Sequence, residues 1–339
     1  MHLTDRIHTF VELGNYLQKP QNSPVLRAIA EKAYAANTWF TPDNSLKALH
    51  AIATEFLNEE KLSAWIKGYN VTSESIKNVG VVMAGNIPAV GFHDLLCVLM
   101  SGHRLLVKLS TPDFVLIQFF IQKIIEINPK FAEFIHISER LNQADAYIAT
   151  GSSNSARYFE YYFSKKPHII RRNRSSVAVL SNRETSADLQ ALGRDMLDYF
   201  GLGCRNVSTL FVPEHYDFVP LLRELEPLAP FFTGQHKYNN NYDYNKSIYL
   251  INGVPHFDNG FLMVTENEGL VSPISTVYYQ TYAELEALEQ KLSGLAERIQ
   301  CVTSKDGFFP GSVPLGQTQR PGLNDYADGV DTMTFLTTL

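Results

Sequence analysis

From residue 78 to residue 212, short β-branched apolar runs alternate with helical stretches, and this alternation limits the fold more than any other feature of the chain. Residues 78–83 (NVGVVM) predict a first strand, and 93–100 a compact apolar helix that Gly102 ends. Residues 104–108 (RLLVK) predict a second strand. Ser110 or Thr111 can cap a helix starting at Pro112, a favoured first position because the missing proline N–H would have no helical partner. That helix, 113–127, is apolar nearly all round, which predicts deep burial. Strands at 146–149 and 176–180 follow, with a helix over 154–163 between them. Strands separated by helices of roughly 10–20 residues imply a parallel, doubly wound α/β sheet. A second such unit opens near Ser186: Leu189, Leu192, Met196, Leu197 and Phe200 line one helical face, Gly201 can cap its end, and 208–212 read as a strand.

The flanks differ. Residues 1–75 look helical, with Leu46, Leu49, Ile52, Ala53, Phe56 and Leu57 at helical spacing after an N-cap in Asp43-Asn44-Ser45. Residues 238–249 (YNNNYDYNKSIY) read as a polar face or loop. The tail from Gly307 holds three prolines and five glycines and should be extended.

Composition enters by exclusion. The chain has 339 residues, 45% of them hydrophobic, enough apolar surface to fold rather than stay disordered. A net charge of -6 argues against nucleic-acid binding. Three cysteines, at 97, 204 and 301, form neither a disulfide framework nor a CxxC zinc site, and no metal is expected. The apolar stretches 79–100 and 114–127 are broken by polar residues or fall short of the ~20 residues a membrane span needs. The N-terminus carries Asp5, Arg6 and Glu12 where a secretory signal needs an apolar run, so a soluble cytoplasmic protein is expected. Without such a signal, glycosylation tripeptides such as Asn206-Val-Ser carry almost no weight.

Four short segments can carry chemistry. In Gly201-Leu-Gly-Cys204-Arg-Asn, a cysteine lies between a helix end and a strand beside a cation, which favours a thiolate; the plain reading is a loop cysteine at a helix cap. Cys97 and Cys301 sit in ordinary apolar runs. In Ala84-Gly-Asn86-Ile-Pro88, an amide at a strand end can donate to an oxyanion, against the plain reading of a turn. Lys108, with Ser110 and Thr111 behind it, can meet a ribose or phosphate, or be a solvated strand end. Thr150-Gly151-Ser152-Ser153 joins a strand to a helix, a junction whose N–H groups suit an anion; Gly and Ser are also common helix starts.

Taken in order, strand–GNIP–helix, strand–VKLS–helix, strand–TGSS–helix and then Cys in GLGC resemble the aldehyde dehydrogenase superfamily. The resemblance runs from Asn78 to about Gly316. It implies an aldehyde-dehydrogenase-like α/β fold: two doubly wound lobes, an N-terminal helical segment and an extended C-terminal tail. The lobes would be a nucleotide-binding domain over 76–185, with 1–75 packed on it, and a catalytic domain over 186–305. The tail, 306–339, would be an oligomerisation element, and the resemblance suggests a dimer or larger. Asn86 matches the oxyanion asparagine, Cys204 the nucleophile, Lys108 the ribose-binding lysine and Gly151-Ser152 the pyrophosphate turn. Pro273 resembles the EIFGPV strand and Pro314-Leu-Gly316 the PFGG segment.

Departures from the family pattern narrow the reading. Where oxidising members carry a Glu-Leu-Gly-Gly general base, this chain has Ile170-Arg-Arg-Asn-Arg174. Arg171, Arg172 and Arg174 either bind cofactor or CoA phosphates or form a basic strand edge. Without the base, water attack on an acyl-enzyme is slow, which fits the reductive branches. The short chain and its tail resemble the LuxC-type acyl-CoA reductases, which imply a fatty acyl-CoA substrate, an aldehyde product and NADPH or NADH. Thr111 in place of a glutamate leans toward NADPH. The EIFGPV glutamate aligns with Gly269, or with Glu268 after a one-residue shift. Alternatives are a reductase of acyl phosphates or carrier-protein-bound acyl groups, a nucleotide-binding protein without turnover, and an oxidising dehydrogenase.

Overall fold

The computed structural model describes residues 1–71 and 75–339, apart from the Ser153 side chain. The chain forms two compact units. Unit 1 is Met1–Asn173 together with Pro321–Leu339, and unit 2 is Arg174–Arg320.

Unit 1 opens with helices α1 (Leu3–Gln18), α2 (Ser23–Ala36), α3 (Pro42–Ala51) and α4 (Glu59–Ile66). Thr41, just ahead of the expected Asp43-Asn44-Ser45, caps α3 by accepting from the Asn44 N–H at 3.3 Å. Five parallel strands follow: β1 (Asn78–Val82), β2 (Arg104–Lys108), β3 (Ile135–Ile137), β4 (Ala146–Thr150) and β5 (His168–Arg171). Their order is β3-β2-β1-β4-β5, with Val79 opposite Leu105 on one side and Ala146 on the other. Helices α5 (Phe92–Ser101), α6 (Phe114–Ile127) and α7 (Ser153–Phe163) connect them.

The expected apolar helices are central to this core. Seven residues of α6, from Val115 to Ile124, are buried, and α5 is buried along nearly its whole length. Each such side chain contributes about 1.5–3 kcal/mol. Gly102, at φ 90°, ends α5 as expected. One turn differs: a 3-10 turn, Thr111–Asp113, precedes α6, and no side chain caps either.

Unit 2 contains β6 (Ser175–Val179), α8 (Ser186–Leu197), β7 (Val207–Pro213), α9 (Val219–Leu225), α10 (Ala229–Thr233), α11 (His236–Ile251), β8 (Phe257–Asp258), β9 (Met263–Glu266), β10 (Thr276–Tyr282), α12 (Leu285–Ser293), β11 (Ile299–Ser304) and β12 (Val313–Pro314). Its sheet runs β12-β11-β6-β7-β10-β9-β8, parallel except for β8 against β9. The two α/β units are the expected architecture, but the division falls at Asn173/Arg174 rather than at 185/186. The reason is that β6 pairs with β7 and β11 and so completes the second sheet.

Three further expectations are corrected. Of the two readings of residues 238–249, a polar face or a loop, the loop is excluded: they lie within α11, where Tyr238 and Tyr242 are buried and Tyr238 packs 4.8 Å from the Phe232 ring. α8 ends at Leu197; Tyr199 and Phe200 then take φ of 54° and 59°, so Gly201 closes a 3-10 turn rather than the helix. The tail is not extended throughout: a helix, α13 (Thr332–Thr337), buries Met333 and Leu336, and the Leu336 carbonyl lies 2.9 Å from His103 Nε2. Among the described residues, no helix is long and apolar enough to cross a membrane, and no group of three or more His, Cys, Asp or Glu side chains could hold a metal ion.

Candidate active site

In unit 1, the strand order places β1 between β2 and β4, with the connections leaving in opposite directions. The crevice at the carboxyl ends of such strands is where doubly wound sheets bind ligands. Asn86 stands exposed in the loop after β1. Lys108 ends β2, exposed, its Nζ 3.9 Å from Glu139. Gly151 and Ser152 follow β4 and lead into α7. The fold therefore gathers three of the sequence-predicted segments at one sheet edge.

Local chemistry explains each position. A Cβ on Gly151 would come within 2.9 Å of both Ser155 and Phe159, so only glycine lets the backbone lie against α7. Ser152 caps that helix, accepting from the Ser155 N–H at 3.2 Å. The remaining first-turn N–H groups carry the helix's partial positive charge, suited to a phosphate. The backbone of Ser153 is the first of α7; its side chain lies outside the described residues. Thr111 is exposed on the turn behind Lys108. Ser110 faces inward instead: a Cβ on Gly85 would overlap its Oγ. A lysine, a hydroxyl and a glycine-serine helix start together offer donors to hydroxyl and phosphate oxygens.

The arginine segment separates into three roles. Arg171 is 3% exposed, and its Nη1 lies 2.7 Å from the Asp94 carboxylate on α5, with Nη2 donating to Thr332 at 2.8 Å. It is therefore a buried structural cation rather than a phosphate ligand. Burial lowers its pKa, but the Asp94 carboxylate outweighs that and raises it on balance. Arg172 pairs with Glu160 at the surface, and Arg174, in unit 2, donates to the Ala296 carbonyl at 3.2 Å.

In unit 2, Cys204 is half-buried in a turn between Gly201 and β7. The turn is tied by hydrogen bonds. Ser176 Oγ donates to the Cys204 carbonyl at 3.0 Å. Asn206, only 2% exposed, accepts from the Gly203 N–H at 2.8 Å and donates to the carbonyls of Asp195, Met196 and Asp198 at 3.1, 3.4 and 2.8 Å. Arg205 Nε reaches the Thr318 carbonyl at 2.5 Å.

Asp195 on α8 accepts from the Gly316 N–H at 2.6 Å and from Thr318. Burial raises its pKa, and those hydrogen bonds oppose the rise. Gly316 holds a φ of 84°, strained for any residue with a Cβ, and a Cβ there would also press on that of Ala191 at 3.1 Å. The Pro314-Leu-Gly316 segment thus braces the helix that leads to Cys204.

Sequence reasoning missed Asn206 and Asp195. Asn206 stood out only inside a glycosylation tripeptide, whereas its side chain is fully engaged internally. Of the other cysteines, Cys301 is buried, and burial pushes the Cys97 thiol well up, away from nucleophilic thiolate. Glu268 is exposed after β9, while Leu270 nearby accepts from Ser208 at 2.5 Å.

No family model matches the chain, and no curated protein matches it by sequence. Solved structures do match. Aldehyde dehydrogenase 21 of Physcomitrella patens, in complex with the reaction product succinate, superposes at a TM-score of 0.65 and 11% identity, covering 100% of this chain and 84% of that one. An indole-3-acetaldehyde dehydrogenase of P. syringae, in complex with NAD+ and IAA, gives 0.62 at 13% identity, covering 90% and 72%. A Mycobacterium tuberculosis aldehyde dehydrogenase complexed with NAD+ gives 0.60 at 12%, covering 90% and 73%. At these identities the likeness concerns the fold: the chain has the α/β fold of aldehyde dehydrogenases.

Proposed function

We propose that this chain is an NAD(P)H-dependent reductase that converts an acyl-CoA thioester to the aldehyde through an acyl-enzyme on Cys204. The observation that carries the reading is the Arg171–Asp94 pair. The segment that holds the general-base glutamate in oxidising relatives here begins with a cation buried in an ion pair. An enzyme with a nucleophilic cysteine and no base to activate water keeps its acyl-enzyme for a different acceptor.

The Cys204 thiolate attacks the thioester carbonyl; its sulfur–carbon bond forms as the bond to CoA breaks, and CoA leaves with a proton from solvent. Asn86 is the donor proposed for the oxyanion of that step, a contribution of about 100- to 1000-fold in rate. Splitting the reduction at a covalent stage replaces one difficult step with two easier ones. Lys108 and Thr111 would bind the cofactor's ribose, and the Gly151–Ser152 turn with the first N–H groups of α7 its diphosphate. Thr111, uncharged, leaves room for a 2′-phosphate and favours NADPH. When bound, the cofactor supplies the hydride that reduces the acyl carbon. Cys204 is released as the aldehyde departs.

Intact-mass spectrometry after mixing with acyl-CoA without NADPH tests the reading. One acyl adduct is expected on the wild type and none on Cys204→Ala. Absence of an adduct, or an adduct that survives the substitution, overturns it. Offering acyl phosphate and acyl carrier protein in parallel identifies the donor.

A further inference from the structure

Asp113 closes the turn before α6 and is 2% exposed. Neither carboxyl oxygen has a hydrogen-bond partner among the described residues. The Ala89 N–H faces the carboxyl and favours the charged form slightly, without reaching good hydrogen-bond geometry. Asp94, 8% exposed in the same unit, has Arg171; among the described residues Asp113 has no such cation. Gly85 and Ala89 lie against it, and residues 84–89 and 109–112 carry no titratable side chain. Helix α2, which packs on α6 and whose C-cap Asn37 donates to the Pro112 carbonyl, carries Arg27, Glu31 and Lys32, and none of them bonds to the Asp113 carboxyl. Lys108, the next ionisable residue along the turn, is exposed and faces Glu139. A carboxyl buried in these surroundings keeps its proton, and burial does push its pKa well up.

The segment lying over Asp113 is the loop that carries Asn86. A Cβ on Gly85 would lie 3.2 Å from the Asp113 Cβ. Ala89, in the same loop, holds a φ of 57°, uncommon for a residue with a Cβ.

We propose that Asp113, as the uncharged acid, is a positioning residue that acts through Asn86. It forms an uncharged floor beneath residues 85–89 and so sets where the Asn86 amide is presented at the end of β1. Ionisation would demand water beneath the loop and lift it. The proposal rests on the reading of Asn86 given above.

The test compares the wild type with Asp113→Asn, which keeps shape and neutrality, and Asp113→Ala, which removes the floor. In Asp113→Ala, backbone amides of residues 84–91 are expected to exchange about tenfold faster. Acylation of Cys204 by acyl-CoA should fall roughly 10- to 100-fold. Alkylation of Cys204 by iodoacetamide, which needs no oxyanion donor, should stay within about twofold, a split that general unfolding would not produce. Asp113→Asn should retain wild-type exchange and acylation.

The pH dependence has a definite sign. A carboxyl whose folded pKa is raised stabilises fully below its unfolded pKa and loses that contribution as pH rises toward the folded value. In that window the wild type's folded-to-unfolded ratio drops about tenfold per pH unit relative to Asp113→Asn. The wild-type Tm, taken relative to that of Asp113→Asn, should therefore fall as pH rises above the ordinary carboxylate range. A flat gap, or an Asp113→Asn variant whose loop exchanges as fast as that of Asp113→Ala, overturns the proposal. If even the wild type forms no acyl adduct, the proposed reaction fails, while the exchange and Tm measurements still decide the role of Asp113. Should Asp113→Ala not fold, the pH series on Asp113→Asn carries the test alone.

Discussion

At the end of β1, the loop over residues 84–91 is closely packed: Gly85 lies against Ser110 and Asp113, and Gly91 against Met83, where an added Cβ would sit only 2.6 Å from the sulfur, while the Ala89 carbonyl accepts from the Phe92 N–H at 3.0 Å. Ahead of β7, the turn around Cys204 is held by hydrogen bonds, with Asn206 alone engaging four backbone groups. The difference suits the chemistry proposed for each. An amide donor has to stand at the surface, so its support comes from close packing beneath it. A nucleophile has to keep one orientation as bonds form and break, and directional bonds fix a turn more narrowly than packing does.

The comparison can be broken most decisively at Asn206. Asn206→Leu strands three carbonyls and an N–H, and the expected loss is about 3–5 kcal/mol in urea unfolding, given about 1–3 kcal/mol for each buried group left unsatisfied. A loss below about 1 kcal/mol would mean that water replaces the side chain and that the turn is not held as described. Asn86→Ala should behave oppositely. Its stability should change by less than about 0.5 kcal/mol, while single-turnover acylation slows about 100- to 1000-fold.

Gly85→Ala sharpens the packing side. With the added carbon overlapping Ser110 Oγ, overpacking should cost about 1–3 kcal/mol and lower acylation as well. Ser152→Ala is expected to have the smallest effect, about 1 kcal/mol from the lost α7 cap, seen as a small drop in Tm.

Much of unit 1 was legible because its signals are local. The runs at 78–83 and 146–149 are apolar enough to be strands buried on both faces, 104–108 alternates with Leu105 and Val107 inward, and the glycines and serines after them mark turns wherever the chain folds. β5 was missed because His168-Ile-Ile-Arg171 is short and ends in charge; Arg171 becomes a strand residue only because Asp94 meets it across the core. α11 was missed because Asn and Tyr are weak helix formers, and tertiary packing of Tyr238 and Tyr242 outweighs that preference. Asp113 appeared only as the first residue of the helix expected over 113–127. Only the loop folded over it buries it and pushes its pKa up.

By itself, the sequence determined the α/β alternation, the order of the GNIP, VKLS and TGSS segments along it, and which of three cysteines lies outside an apolar run. These follow from periodicity and turn chemistry, which act over a few residues. Tertiary structure decided which charges are partnered. Arg171 became a core cation, Asn206 the strap of the Cys204 turn, and Asp113 an acid without a counter-ion. Burial and pairing depend on groups brought together from distant parts of the chain, Arg171 and Asp94 among them, and the cost of an unpaired charge appears only once water has been excluded.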